Sequence, residues 1–427
     1  MVIVDTALEA RQAAGKPLRI GLVGAGVMGR MIALQLLTPL TGMRLVAVAN
    51  RTRARAERAY HEGGVDAVET VETVAALEDA VERNACAVTE DARLLCEAGN
   101  IDAIIEVTGQ VEFGAAIALH AIRHRKHVVL VNAELDATLG PVLKTHADRA
   151  GVVITNTDGD EPGVAMNLVR YLRALGLRPV AVGNLKGMID PYRTPETQKG
   201  FAEKYGQNPA IVTSFADGTK LSMEETILAN ATGFGVARRG MLGPKCAHVN
   251  EIAGLLPAEA MLHGGLVDYA LGAAPFTGAF VVVHETHPVK QKHLAYLKMG
   301  DGPFYVFYTP FHLPHVQVPS TVARAVLFGD ATTAPLAGPA TEVVAVAKKD
   351  LARGERLDGV GGFAAYGVIE NSPEVQREGL LPMGLAEGCV AKRALAKDTA
   401  LRLADVERPA GRLCDTLYDE QCGRAAR

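Results

Sequence analysis

Residues 19–30 read RIGLVGAGVMGR. An apolar run, Leu18–Val23, meets a Gly24-x-Gly26-x-x-Gly29 turn and passes at once into a helical pattern, Val27–Leu37. This is the strand–turn–helix context in which G-x-G-x-x-G binds a pyrophosphate. The first glycine permits the tight turn, the second lets the phosphates approach the backbone, and the third lets helix and strand pack closely. Unpaired N–H groups at the start of the helix, including those of Val27 and Met28, then face the anion.

Working outward, strands and helices alternate. Strands are expected at Leu45–Ala49, Cys86–Val88, Ile101–Val107, His127–Val131 and Val152–Asn156, with helices at 54–62, 89–99, 114–125 and 137–150. An acidic stretch, 65–82, separates the second and third strands. Continuous apolar strands alternating with helices predict βαβ units and a doubly wound parallel sheet, a Rossmann domain over 17–156. The second strand ends Asn50-Arg51-Thr52-Arg53, without the acid that usually binds the ribose hydroxyls of NAD. Asn50 suits the ribose, and Arg51, Thr52 and Arg53 suit a 2′-phosphate, so NADPH is the expected donor. Thr108-Gly109, after the strand ending at Val107, is expected on the nicotinamide side.

The texture changes twice more. Residues 157–335 are less regular and read as an α+β substrate domain; residues 336–412 carry short strands between Gly, Pro and Asp and read as a small β-rich domain. The tail, 407–427, is polar and expected to be loose. The overall class is α/β.

The 427-residue chain is 48% hydrophobic and 22% charged, with a formal net charge of -4. That profile is globular, and the charge argues against an electrostatic grip on nucleic acid or an acidic membrane. No apolar run reaches membrane-spanning length and the first residues carry acids, so a cytoplasmic location is expected. Six cysteines show no C-x-x-C pair and no zinc-finger spacing, consistent with reduced thiols.

Four segments of the middle domain group residues suited to chemistry. Asp158-Gly-Asp160-Glu161-Pro-Gly163 follows a strand, where three carboxylates could hold a hard divalent cation, Mg2+ or Mn2+, orient substrate hydroxyls, or simply cap a turn. Lys186, at a strand end in GNLKG, could polarise a carbonyl. Asp217 and Lys220, in SFADGTK, could orient hydroxyls, and Arg238, Arg239 and Lys245 could clamp a phosphate.

GLVGAGVMG, IDAIIEVTG, HVVLVNAELD, GDEPGVAMNLVRYL and GNLKGMIDPY together resemble the homoserine dehydrogenase layout. The chain departs from it at the chemistry: Asn132-Ala133-Glu134 stands where that family carries Ala-Asn-Lys, and Lys186 stands where it carries an asparagine. GDEPG, NLKGMIDPYRTPE, SFADGTKLSMEE, ANATGFGVARRGMLGP and LPMGLAEGCVAKRALAKDTAL are more similar to the deoxyxylulose-phosphate reductoisomerase-like family, over roughly 17–406. That resemblance implies a carboxyl-terminal SAF-like domain. It also implies NADPH-dependent reductive isomerisation of 1-deoxy-D-xylulose 5-phosphate to 2-C-methyl-D-erythritol 4-phosphate, a step of isoprenoid precursor synthesis.

The expected partner is a phosphorylated small molecule, with no nucleic acid or membrane and with homo-oligomers formed. Under this reading Lys186, Asp217, Lys220 and Glu161 serve catalysis, Asp160 with the basic trio binds substrate, and Asp158, Asp160 and Glu161 hold any metal. Two alternatives stay open: a homoserine-dehydrogenase-like enzyme for another hydroxy-acid, amino-alcohol or sugar-phosphate substrate, and a non-catalytic protein that binds NADP or a polyol.

Overall fold

The computed structural model describes residues 3–336 and 338–424. Seven strands, β1 (Leu18–Val23), β2 (Met43–Ala49), β3 (Val68–Thr70), β4 (Cys86–Thr89), β5 (Ala103–Glu106), β6 (His127–Leu130) and β7 (Ile154–Asn156), form one sheet. Its order is β3-β4-β2-β1-β5-β6-β7, and every pairing is parallel. The expected strands are all present. β3 was not expected, because three residues inside an acidic stretch give no periodicity to read. The chain reverses direction of travel at β1, so the crevice at the carboxyl ends of β1 and β5 is the topological switch point where dinucleotides bind.

Helices cover the sheet. Ile32, Ala33 and Leu36 of the helix Val27–Leu37, and Ala56, Ala59 and Tyr60 of the helix Arg53–Glu62, pack on Ile20, Leu22 and Val48. The same core takes Val318, Val322 and Ala323 from a helix far along the chain, Pro314–Phe328. The helix Leu413–Gln421 also belongs to this unit, burying Cys414, Leu417 and Tyr418. Its first N–H groups are satisfied by Glu112, which accepts from Leu413 N at 2.9 Å and Cys414 N at 2.8 Å. Within the tail expected to be loose, Leu413–Gln421 is therefore an ordered helix, because its apolar residues fall at helical spacing and its start finds a cap.

The chain divides into two compact units whose limits are not those of a simple left-to-right reading. One unit runs through Asp160 and adds Leu313–Ala334 and the chain from Leu413 onward; the other holds Glu161–His312 and Pro335–Arg412. The apolar face of the helix Pro314–Phe328 is the physical reason for the difference.

The second unit is built on β8 (Arg178–Lys186), β9 (Leu266–Leu271), β10 (Ala279–His284) and β11 (Phe304–Thr309), in the order β11-β10-β8-β9. β8 runs antiparallel to β10 and parallel to β9. Along β10, Val281 and Val283 enter one core while Phe280 and Val282 enter another, so both faces are buried and the strands read as unbroken apolar runs. The helix Thr219–Thr232 is buried along nearly its whole length. The polar stretch between β8 and that helix forms two short helices, Pro195–Lys204 and Pro209–Ala216, each with proline in its first turn where a missing N–H costs nothing.

The β-rich segment adds β12 (Thr341–Ala347) and β13 (Ala365–Asn371), paired antiparallel in unbroken register, and a short pair, β14 (Val390–Ala391) with β15 (Val406–Glu407). It joins the second unit through polar bonds: Thr219 Oγ1 accepts from Gly367 N at 2.8 Å, and Asn230 Oδ1 accepts from Ala340 N at 2.8 Å. No helix is long and apolar enough to cross a membrane among the described residues.

Candidate active site

In the first unit the glycine turn is formed as its spacing predicts. Gly24 sits at φ +109°, a conformation that favours glycine, and a side chain there would meet the Val107 backbone at 3.2 Å. A Cβ on Gly29 would lie 2.0 Å from the Gly24 carbonyl oxygen. A Cβ on Gly26 would meet no protein atom within 4 Å. The second glycine thus leaves open space in front of the helix that begins at Val27, whose N-terminus carries no side-chain cap. Open space and uncapped N–H groups are what a pyrophosphate requires, so these residues fit a dinucleotide.

Asn50 locks the turn: its Oδ1 accepts from Ala25 N at 3.0 Å and its Nδ2 donates to the Thr52 carbonyl at 2.9 Å. Arg51, Thr52 and Arg53 are exposed beyond it. Arg53 pairs with Glu57 at 3.3 Å, and its N–H is held by Glu90 at 3.1 Å. At the end of β5, Thr108 is fixed by a buried carboxylate that the sequence reading passed over. Glu106 accepts from Thr108 N at 2.9 Å, from the Thr108 hydroxyl, and from Asn132 Nδ2 at 2.7 Å. Burial raises the Glu106 carboxyl above the ordinary range against those donors. An acid interrupting the apolar run IDAIIEV was the available signal.

Asp158 is committed within this unit. Its Oδ1 accepts from Arg324 Nη1 at 2.6 Å and from Thr332 Oγ1; Asp158 is buried and Arg324 half-buried. A carboxylate so neutralised anchors the helix Pro314–Phe328 and is not a metal ligand, which corrects the expectation for Asp158. Asp160, also buried, closes this unit, and Glu161 opens the next.

In the second unit, Lys186 is the last residue of β8, as expected of a strand-end lysine. Its Nζ donates to Glu161 Oε1 at 3.0 Å and to Glu224 Oε2 at 3.2 Å. Glu224 also accepts from Asn184 Nδ2 at 3.1 Å, and Glu225 Oε1 accepts from Asn184 N at 2.9 Å. His312 brings Nε2 to 3.5 Å from the other Glu161 oxygen, and its Nδ1 lies 3.0 Å from the Thr277 hydroxyl.

Electrostatics follow from this packing. Burial works against the Lys186 charge, but Glu161 and Glu224 more than reverse it and hold the ammonium protonated well above the ordinary lysine range. Burial alone would raise Glu161; Lys186 and His312 outweigh it and bring its pKa down to about 2. Glu225 is the opposite case: burial, with Asp268 and Glu224 as acidic neighbours, pushes its carboxyl well above the ordinary range. Its Oε2, like Asn184 Oδ1, has no hydrogen-bond partner among the described residues. The site is therefore a fixed ammonium between two carboxylates, backed by a buried acid whose ionisation is disfavoured. It can present positive charge to an oxygen without moving a proton. A divalent cation at Glu161 and Glu224 would compete with that ammonium.

Other expected site residues do different work. Asp217 is buried in an ion pair with Lys348 at 2.8 Å, and Lys348 also donates to the Arg193 and Gly362 carbonyls at 2.8 and 2.9 Å. Its second oxygen accepts from Thr219 N at 2.9 Å. Such saturation makes Asp217 a structural tie rather than a hydroxyl ligand, correcting that expectation. Lys220 is half-buried in the first turn of the helix Thr219–Thr232. Arg239 is balanced by Glu370 at 2.8 Å and Glu378 at 2.9 Å. Arg238 folds onto its own loop, donating to the Met241 carbonyl at 2.7 Å. Of the expected phosphate clamp, Arg238 and Lys245 are exposed and Arg239 is half-buried. Glu224, Glu225 and His312 were missed because their spacing from Lys186 carries no signature in the sequence.

Comparisons with known proteins agree with this architecture. Residues 18–130 match a model described as oxidoreductase family, NAD-binding Rossmann fold. Residues 159–318 match the catalytic domain of oxidoreductase DRL, and residues 342–407 match a SAF domain. No curated protein sequence matches the chain significantly. Among solved structures, the chain is similar to a homoserine dehydrogenase from Thiobacillus denitrificans at 18% identity, covering 72% of each chain with a TM-score of 0.43. It is also similar to scyllo-inositol dehydrogenase from Lactobacillus casei with bound NAD(H) and scyllo-inositol, at 15% identity over 63% of this chain and 74% of that one, TM-score 0.37. A myo-inositol 2-dehydrogenase from Lactobacillus plantarum matches at 16% identity over 63% and 74%, TM-score 0.35. The turn at Gly24–Gly29 and the three matched models together make this chain a nicotinamide-dependent oxidoreductase with a Rossmann domain and a carboxyl-terminal SAF domain.

Proposed function

We propose that the chain uses NADPH to reduce a carbonyl whose oxygen is held by Lys186, on a phosphorylated ketose of the 1-deoxy-D-xylulose 5-phosphate class. The observation that carries the reading is the Lys186 ammonium fixed between Glu161 and Glu224. Arg51, Thr52 and Arg53, exposed beyond Asn50, support the choice of NADPH. In the reaction, one carbon–carbon bond of the ketose breaks and another forms, giving a branched aldehyde. NADPH supplies hydride to the aldehyde carbon and solvent supplies a proton to its oxygen, so substrate, NADPH and H+ yield the polyol phosphate and NADP+. Charge develops on oxygen throughout, and a preorganised ammonium stabilises it without reorganisation. Because Lys186 is held strongly protonated, it serves as an electrostatic donor, while burial disfavours a further negative charge on Glu225. Mg2+ or Mn2+ enters this scheme only as a possible companion of the carboxylates.

A second reading has its own support. Arg239 is spent on two glutamates and Arg238 on its loop, so the phosphate anchor is thin; this favours dehydrogenation of a hydroxy acid, amino alcohol or unphosphorylated polyol without rearrangement. The test is NADPH or NADH oxidation with 1-deoxy-D-xylulose 5-phosphate, aspartate semialdehyde and a sugar and sugar-phosphate panel, with and without Mg2+ or Mn2+. Turnover of the ketose phosphate supports the first reading, and turnover of unphosphorylated substrates alone replaces it with the second. No turnover at all leaves a binding protein. With the working substrate, Lys186→Met should lower kcat/KM by at least about 100-fold; a loss of only a few-fold removes Lys186 from the mechanism.

A further inference from the structure

The helix Val111–Arg123, which follows β5, carries His120 in its last turn, and His124 is its C-terminal capping residue. Residues four apart lie on one helix face, and the two imidazole rings stand with centroids 4.7 Å apart. A third ligating side chain reaches them from the helix Ala92–Glu97: Glu97 Oε1 lies 2.8 Å from His120 Nε2. One donor atom from each of the three lies within 4.8 Å of the others.

We infer that Glu97, His120 and His124 form a binding site for a transition-metal divalent cation of the zinc class, separate from the candidate active site. Two imidazoles and one carboxylate suit such a cation and suit magnesium or calcium poorly, since the latter take oxygen donors. Around a tetrahedral zinc, bonds of about 2.0–2.2 Å place neighbouring donors roughly 3.4 Å apart, so the Glu97–His120 pair at 2.8 Å would open slightly while the more distant donor, within 4.8 Å, moves in. His124 is exposed and Glu97 and His120 are half-buried, so these are side-chain adjustments at the surface. The site has three protein ligands and leaves a fourth position to water on the solvent side.

Its place in the fold says what the metal would do. Both donor-bearing helix ends precede the strands that follow them: Glu97 comes just before β5 and His124 just before β6. In a parallel sheet those positions lie at the amino edge, opposite the carboxyl edge where Gly24–Gly29 and Thr108 receive the cofactor. The metal would therefore cross-link two surface helices and add stability by binding the folded state, without entering the hydride-transfer chemistry.

The experiment uses the full chain, stripped of metal and titrated with Zn2+ against a chromophoric chelator. One equivalent is expected to bind with a Kd of about 10 µM or tighter. His124→Ala, whose exposed side chain is not needed for folding, should weaken binding at least about 10-fold, and His120→Ala should do likewise. Zn2+ at saturating concentration should raise the Tm of the unmodified protein and leave that of His124→Ala unchanged. Loading Co2+ instead should give the visible absorption of a low-coordinate site. Absence of saturable binding, or equal binding by the unmodified chain and the His120→Ala/His124→Ala double variant, overturns the assignment.

Discussion

Gly26 and Gly29 stand three residues apart in one turn, yet a side chain at each would do different damage. On Gly29 a Cβ would strike the Gly24 carbonyl at 2.0 Å, so the turn itself must shift. On Gly26, at φ -70°, a side chain meets no strain and no neighbour, and fills only the space a pyrophosphate would use. Gly26→Val should therefore melt within a few degrees of the unmodified protein while losing NADPH affinity by at least about 10-fold. Gly29→Val should lose both affinity and stability. Calorimetry and a cofactor titration on the two variants check this, and equal Tm losses would show that Gly26 packs against protein after all.

Asp136 makes a second prediction at this scale. It lies in the first turn of the helix Ala133–Ala150, where ionisation would ordinarily be favoured. Burial, aided by the charge of Asp160, instead raises its pKa to about 7, despite a 3.3 Å hydrogen bond from Asn156. In the unfolded chain an aspartate titrates near ~3.9. Between those values the native state keeps a proton that the unfolded state has released. The stabilising contribution is thus complete below about pH 4 and is lost as pH rises through about 7, at up to ~1.4 kcal/mol per pH unit. Asp136→Asn should flatten this part of the profile, so that urea unfolding at pH 5 and pH 8 shows a smaller difference in the variant, by a few kcal/mol. Identical slopes in both proteins would place the Asp136 proton elsewhere.

Among the elements, the helix Leu413–Gln421 carries the clearest consequence. It buries Cys414, Leu417 and Tyr418, and Glu112 satisfies two of its first N–H groups. Removing the chain after Arg412 should destabilise the Rossmann unit by several kcal/mol, since each large buried side chain contributes ~1.5–3 kcal/mol. Denaturant unfolding of the shortened chain measures it, and a stability within ~0.5 kcal/mol of the full chain would refute it. This helix also marks where the sequence was hard to read. A 3.6-residue period over nine residues, mixed with acids, does not stand out from a solvated tail. The strand Val68–Thr70 and the helices at Pro195 and Pro209 were hidden likewise, being short. The long apolar strands β1, β2, β8 and β10 were legible because both of their faces are buried.

For the whole molecule, the order of elements along the chain was legible and the grouping was not. Reading from left to right gives three consecutive domains, because composition changes at 157 and 336. The folded chain instead returns twice to its first unit, with Leu313–Ala334 and again from Leu413. No local propensity announces a return; only the shared core of Val318 and Val322 with Ile20 and Leu22 reveals it. The candidate site follows the same rule. The glycine turn and Lys186 could each be found from spacing and strand ends, whereas Glu224, Glu225 and His312 gather around Lys186 and Glu161 by tertiary packing within the second unit alone. Asp158, Asp217 and Arg239 looked like ligands in one dimension because charged side chains in glycine-rich loops invite that reading; in three dimensions Arg324, Lys348 and two glutamates had already claimed them.

The double return has a consequence for how such a chain comes off the ribosome. At ~5–20 residues per second, the nascent dinucleotide domain must wait on the order of ten seconds or more for its last helix, while the whole second unit is being synthesised. During that wait the surface around Ile20 and Leu22 lacks the residues that finally cover it. Cells making this protein should therefore lean on a holdase during translation, and a rearranged gene that encodes the returning helices directly after Asp160 should loosen that dependence.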